Sequence, residues 1–177
     1  MSRGLTAPFT GDARRADRPA TVAVVALGAN LGNREATLDA AVEALRALPL
    51  VDDVRVAEAV ESVALKPDGP DAAAPAYLNS VALVTTRLAP SVLLGYLHAI
   101  EARNGRERRE RWGDRTLDLD LIVYGDVVSD DPALTLPHPR AAERAFVLLP
   151  WLTLDPDAEL PNAGRVDALV ERLRTTP

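Results

Sequence analysis

Two carboxylates spaced two apart, Asp118 and Asp120, interrupt the apolar run of "RWGDRTLDLDLIVYG" (residues 111–125). In an extended strand such side chains leave the same face, about 6.6 Å apart along the chain, while Leu117, Leu119 and Leu121 leave the other. One face is then wet and acidic. A bare acidic pair suits Mg²⁺, which takes few protein ligands and fills its shell with water and phosphate oxygens. Two such ions, roughly 3.5 to 4 Å apart, clamp the attacking and leaving oxygens of a displacement at phosphorus. Taken alone, D-x-D equally suits a half-buried strand that turns polar residues to solvent.

The preceding segment shifts the balance toward chemistry. Arg103, Arg106, Arg108, Arg109, Arg111 and Arg115 crowd ahead of the acidic pair in a chain of net charge -6. The dipole at a helix C-terminus accounts for Arg103 and Arg106, but not for the run continuing through a loop to Arg115. Guanidinium groups grip phosphate bidentately and stabilise charge on a group in transfer. Trp112, in the same polar loop, has two readings: a planar cover for a bound heterocycle, or core packing. The glycines of "GANLGN" (residues 28–33) lack a G-x-G-x-x-G or Walker pattern, which favours a packing or ring-edge role over a phosphate cradle.

The elements that must position these residues follow from periodicity. "TVAVVALG" is continuously apolar and β-branched, a strand buried on both faces that stops at Gly28. "NREATLDAAVEALRALP" places Ala36, Leu38, Val42, Leu45 and Leu48 near helical spacing, with Asn33 as N-cap and Pro49 past the end. "VDDVRVAEAVES" alternates as one half-exposed strand, "LKPDGPDAAAPA" reads as a long loop, and "YLNSVALVTTR" as another strand. Pro90 opens a helix whose apolar stripe is Val92, Leu93, Tyr96, Leu97 and Ile100, ending near Gly105. The strand "TLDLDLIVYG" follows the arginine loop. This β-α-β-β-α-β order predicts an α+β, ferredoxin-like core: an antiparallel sheet with helices on its faces, the two core helices sharing one face. A C-terminal extension follows: "DVV", the loop "TLPHPR", the apolar "AFVLLPWLTL" and an amphipathic helix "RVDALVERLR".

Bulk properties bound the class. The chain has 177 residues, 47% of them apolar and 26% charged, as expected of one folded domain over residues 21–177. Residues 1–20 lack apolar periodicity and read as a flexible extension. With no cysteine and two histidines, thiolate metal sites and a cysteine nucleophile are excluded, so a metal would be held by oxygen. No run approaches the roughly 20 apolar residues of a membrane span, and the N-terminus has no signal-like apolar stretch, which makes a cytoplasmic location the expectation. Lys66 is the only lysine against 19 arginines. The net negative charge argues against a general nucleic-acid binder.

Together, "ALGANLGN", "AYLNSV", "IEARNGRERRERWGDRTLDLDLIVYG" and "LTLPHPRAAERAFVLLP" resemble the 6-hydroxymethyl-7,8-dihydropterin pyrophosphokinase family over about residues 22–160. The resemblance implies transfer of the β,γ-diphosphoryl group of ATP to the pterin hydroxymethyl oxygen, with AMP released. It implies that Asp118 and Asp120 hold two Mg²⁺ and that Arg106 and Arg115 assist transfer. Glu101, Arg108, Arg109, Arg111, Trp112, Leu121, Thr135, His138 and Arg144 fall on the nucleotide side. Tyr77 and Phe146 resemble rings that sandwich the pterin, Asn79 the amide that reads its edge, and Gly28, Ser62 and Leu65 supply backbone groups around it. Small-molecule substrates, no membrane or nucleic-acid partner, and a monomer are implied. No general base stands out, and phosphoryl transfer rests mostly on positioning and electrostatics.

Departures from the family pattern are Asp114, which places a carboxylate beside Arg115, Val63 and Ala64 in place of a proline-rich turn, and Pro139 after His138. Two rival readings are a ferredoxin-like RNA-binding module and an inactive nucleotide-binding homologue. The first should carry stacking aromatics on its central strands, and "TVAVVALG" has none. The second should have lost one of Asp118, Asp120, Arg106 or Arg115, and all four are present.

Overall fold

A computed structural model describes residues 18–66, 69–71, 75–104 and 116–175. The first strand, β1 (Thr21–Ala29), is buried from Ala23 onward because it lies inside the sheet and both its faces are covered there, while Val22 is exposed. Val24 and Ala26 enter one core, and Ala23, Val25, Leu27 and Ala29 the other. A turn with Gly32 at a φ of 64°, a left-handed conformation that suits glycine, leads into α1 (Arg34–Arg46). Asn33 caps this helix as expected, its side chain accepting the Ala36 N–H at 3.1 Å. Leu38, Ala41, Val42 and Leu45 form the buried stripe. Ala36, expected on that stripe, is exposed in the capped first turn.

The segment expected to be one strand is two, β2 (Val51–Val56) and β3 (Val60–Ser62). Both pair antiparallel with the same neighbour, but the register steps by one residue between Val56↔Ala82 and Val60↔Asn79. Ala57 marks the break: its N–H donates to the Val81 carbonyl and its own carbonyl accepts from the Ser80 hydroxyl. The long loop that follows is not wholly irregular either. Within it β4 (Ala64–Lys66) and β5 (Gly69–Asp71) pair as a small ladder, with Leu65 opposite Pro70.

The remaining core elements are β6 (Tyr77–Thr86), α2 (Pro90–Arg103) and β7 (Asp118–Tyr124). The sheet runs β2-β6-β1-β7 with every pairing antiparallel, which is the ferredoxin-like strand order. β7 is therefore an edge strand. α1 and α2 share one face, where Leu93, Leu97 and Ile100 of α2 join the α1 stripe; Val92, expected on that stripe, is 38% exposed.

Beyond β7 come the hairpin β8 (Ser129–Asp131) and β9 (Leu134–Leu136), a cis Leu136–Pro137 peptide and a short 3-10 turn (Ala141–Glu143). Then follow α3 (Ala145–Leu154), the short pair β10 (Glu159–Leu160) and β11 (Gly164–Arg165), and α4 (Val166–Thr175). The C-terminal extension builds the second helical layer. Val147, Leu148 and Trp151 of α3 and Leu169 and Val170 of α4 cover Val24, Ala26, Val81 and Leu83 on the opposite face of the sheet. Of the expected N-terminal extension, residues 1–17 lie outside the described residues.

Candidate functional site

Alternation along β7 does what the sequence requires of it. Leu119 and Leu121 are buried toward α1 and α2, and Asp118 and Asp120 are half-buried on the opposite face. Leu117, just before the strand, is buried on the leucine side. The alternation then breaks. Val24 pairs with Val123 and Val25 with Leu121, so Ile122 is one extra residue in a β-bulge. Ile122 and Val123 consequently both enter the α3–α4 core, and Tyr124 returns to the other, where its hydroxyl donates to the Leu88 carbonyl. The bulge ends the acidic stretch and begins the fully buried half of the strand.

A cleft of about 160 Å³ opens on the acidic face. Its floor crosses three strands at one level, since Gly28 stands opposite Asn79 on one side and opposite Asp118 on the other. Tyr77, Asn79, Ser62, Gly28, Asp118, Asp120, Arg144 and Phe146 line it, joining residues more than 110 apart in sequence; Arg144, expected on the nucleotide side, lies here beside the residues expected around the pterin. The Asn79 amide donates to the Ser62 hydroxyl at 2.8 Å and is thereby fixed in orientation. Asn79 itself is only 5% exposed. A Cβ at Gly28 would lie 3.2 Å from the Asn79 side-chain oxygen, so glycine there leaves that amide its place. Arg140 and Val63 also line the cleft. Neither was singled out as a site residue. Arg140 sits two residues after His138, but nothing in the local pattern says that it turns toward Asp118 and Asp120.

Arg144 precedes α3 and reaches back to β7, its guanidinium donating to Asp120 at 2.6 Å. The same group lies 5.8 Å from the centre of the Phe146 ring. One arginine thus ties the acidic strand to an aromatic wall. The His138 Nε2 lies 3.8 Å from the same Asp120 oxygen, and its Nδ1 accepts the Arg140 N–H at 3.2 Å. Burial pushes the His138 imidazole below its ordinary value; Asp120 opposes this, while Arg144 and Arg140 reinforce it. This favours the neutral imidazole.

A second depression, of about 200 Å³, lies round the edge of β7 on the leucine side. Glu101, Leu121, Thr135 and His138 line it together with His98, the β8–β9 turn and Pro139. Glu101 is a fully buried carboxylate, and it accepts the Leu119 N–H at 2.9 Å, so α2 grips β7 between the two aspartates. Asp120 lines both depressions. The two hollows therefore meet at the acidic edge strand.

Asp118 and Asp120 suit a divalent cation that keeps most of its shell for water and ligand oxygens. Among the described residues no group of three or more His, Asp or Glu is placed to enclose a metal, so the donor set fits a shared ion better than a structural one. Leu65 is placed by its backbone, in β4. Arg106, Arg108, Arg109, Arg111, Trp112 and Arg115 lie outside the described residues.

Residues 24–156 match the family described as 7,8-dihydro-6-hydroxymethylpterin-pyrophosphokinase. The 2-amino-4-hydroxy-6-hydroxymethyldihydropteridine pyrophosphokinase of Pseudomonas aeruginosa is 42% identical over 146 residues, covering 82% of this chain and 88% of that protein. The protein of the same name from Haemophilus influenzae is 39% identical, covering 85% and 91%. A crystal structure of Plasmodium falciparum HPPK-DHPS superimposes on 88% of this chain with a TM-score of 0.63 at 12% identity, a likeness of fold. This chain spans 46% of that one.

Proposed function

The chain belongs to the 7,8-dihydro-6-hydroxymethylpterin-pyrophosphokinase family, and from that premise we propose that it transfers the diphosphoryl group of ATP to 6-hydroxymethyl-7,8-dihydropterin. The observation that carries this reading is the meeting of two differently lined hollows at Asp120. A flat, hydrogen-bonding heterocycle fits between Tyr77 and Phe146, with Asn79 and the backbone at Gly28, Ser62 and Leu65 at its polar edge. The nucleoside end of ATP fits beside Glu101, Leu121, Thr135 and His138. Its phosphates then cross the edge of β7 toward Asp118 and Asp120.

In the reaction the hydroxymethyl oxygen bonds to the β-phosphorus, the bond from that phosphorus to the α,β-bridging oxygen breaks, and AMP leaves with that oxygen. The hydroxyl proton passes to solvent. Two Mg²⁺ bound by Asp118 and Asp120 would supply neutralising charge to the phosphates. This chain's own residues do the positioning. Arg144 fixes the rotamer of Asp120, the bond from Asn79 to Ser62 sets the pterin edge, and Arg106, Arg115 and the arginines between them in sequence would add positive charge around the group in transfer. Arg140, which faces the same cleft, adds to that set.

The test is the identity of the nucleotide product. With ATP, Mg²⁺ and the pterin, AMP should appear in a pterin-dependent manner without ADP. Asp118→Ala and Asp120→Ala should each reduce kcat by roughly a thousandfold while leaving the circular dichroism spectrum unchanged. ADP as product would overturn the diphosphoryl reading, and an active Asp118→Ala or Asp120→Ala variant would overturn the metal-holding role.

A further inference from the structure

We infer that Arg34 is a positioning residue for the pterin side of the site, an inference that rests on the function proposed above. Arg34 is the first residue of α1, where the helix dipole favours acidic side chains, so its charge is ill placed for the helix itself. Its side chain leaves the helix and bridges two other segments. One terminal nitrogen donates to the Ala76 carbonyl at 2.7 Å, and the other donates to Glu61 at 2.7 Å.

Each partner is the chain neighbour of a residue lining the cleft. Glu61 precedes Ser62, and Ala76 precedes Tyr77. Arg34 itself follows the turn that leaves β1 after Ala29. Cleft residues of two strands, β3 and β6, are thus tied to α1 by one planar fork, whose two donors suit two acceptors held at a fixed spacing. The β1–β6 ladder sets Asn79 opposite Gly28 and ends at Ala29↔Leu78, so Tyr77 and its partner Ser62 stand one position beyond it. Arg34 ties that overhanging pair, through Ala76 and Glu61, to the start of α1. Its side chain is 30% exposed and Glu61's is 64% exposed, so the bond to the half-buried Ala76 carbonyl is the stronger arm.

The consequence is specific to one substrate. Loss of the fork frees the end of the ladder at Ser62 and Tyr77 from α1, while Asp118, Asp120, Glu101, Thr135 and His138 keep their supports in β7, α2 and the β8–β9 hairpin. The experiment is steady-state kinetics of Arg34→Met, Arg34→Lys and wild type, varying the pterin and Mg-ATP separately. Arg34→Met should raise the KM for the pterin about tenfold, with kcat and the KM for ATP changed by less than about twofold. Arg34→Lys, which keeps the charge but reaches one acceptor at a time, should fall between. A role in folding alone would lower the active fraction, and so kcat, without this split. A pterin KM within twofold of wild type, or an equal rise in both KM values, would overturn the inference. If Arg34→Met does not fold, Glu61→Gln takes its place, with the pterin KM expected to rise about threefold; no rise would overturn the inference. Wild-type protein that shows no pterin-dependent AMP formation would instead remove the functional reading on which the inference stands.

Discussion

Gly28 faces Asn79 across one strand pairing and Asp118 across the other, so it is the floor tile between the amide and the acid. Its backbone is extended, and alanine is conformationally permitted there. A Cβ would nevertheless press on the Asn79 oxygen at 3.2 Å and stand 3.7 Å from the Tyr77 ring. Gly28→Ala should therefore leave stability within about 1 kcal/mol of wild type, since the reduced freedom of the unfolded chain offsets the local push. The kcat/KM for the pterin should fall ten- to a hundredfold, by misplacement alone. Thermal unfolding beside pterin kinetics separates the two effects, and a variant with unchanged pterin kinetics would show that the floor is not in contact with ligand. At this scale the sequence was informative where the physics is local. Asp118 and Asp120 share a face because any strand alternates, and Asn33 caps α1 because its side chain needs to reach only three residues. That Tyr77, Asn79 and Phe146 meet was expected only through resemblance, because no local rule brings α3 onto the acidic face of the sheet. Arg34 and Arg140 went unnoticed for the same reason: an arginine at a helix start or in a loop acquires meaning only from what lies opposite.

Among the elements, β7 carries the greatest demands, being an edge strand, a wall of both hollows and a contributor to both cores. The bulge at Ile122 reconciles these roles by switching which residues face α3. The bond from the Tyr124 hydroxyl to the Leu88 carbonyl anchors the buried half to the connection between β6 and α2. Tyr124→Phe leaves that carbonyl without its partner and should cost about 1 kcal/mol, or about 2 to 4 °C in Tm. Activity at 25 °C should be unchanged, as Tyr124 lies beyond the bulge from the two aspartates; a large loss of kcat would mean that the bulge transmits strain into the acidic half. The bulge was invisible in the sequence because "LDLDLIVYG" shows only that alternation gives way to a continuous apolar run. The second helical layer was half visible. α4 has a clear amphipathic pattern, but "AFVLLPWLTL" is apolar nearly all round and contains Pro150, which argues against a helix interior. Burial of Val147, Leu148 and Trp151 against the sheet outweighs that local preference. Periodicity did find the ferredoxin-like core, because each of its helices shows a stripe and each strand an alternation or an apolar run.

The molecule as a whole carries a net charge of -6 and is asked to bind a polyanion. Long-range electrostatics therefore oppose ATP binding, and the acidic pair at the meeting of the two hollows opposes it most. On the proposed function cations must reverse the sign locally, and the candidate sources are the arginines between Arg106 and Arg115, Arg140 and Arg144, and a divalent metal. Arg144 is already spent in part on Asp120, at 2.6 Å. On the proposed function a metal is then expected to be required for nucleotide binding as well as for transfer, and not for the fold. Both cores close with apolar side chains, and among the described residues no enclosing metal-ligand group exists. Chelation by EDTA should accordingly abolish AMP formation and weaken ATP binding at least about tenfold, read by calorimetry. The Tm of the ligand-free protein should stay the same with and without EDTA, in contrast to a structural metal site, whose binding energy is folding energy. Unaltered ATP affinity in EDTA would assign the sign reversal to the arginines alone. A Tm that falls on chelation would instead place a metal within the folding core, and Asp118 and Asp120 would then be structural ligands before they were catalytic ones.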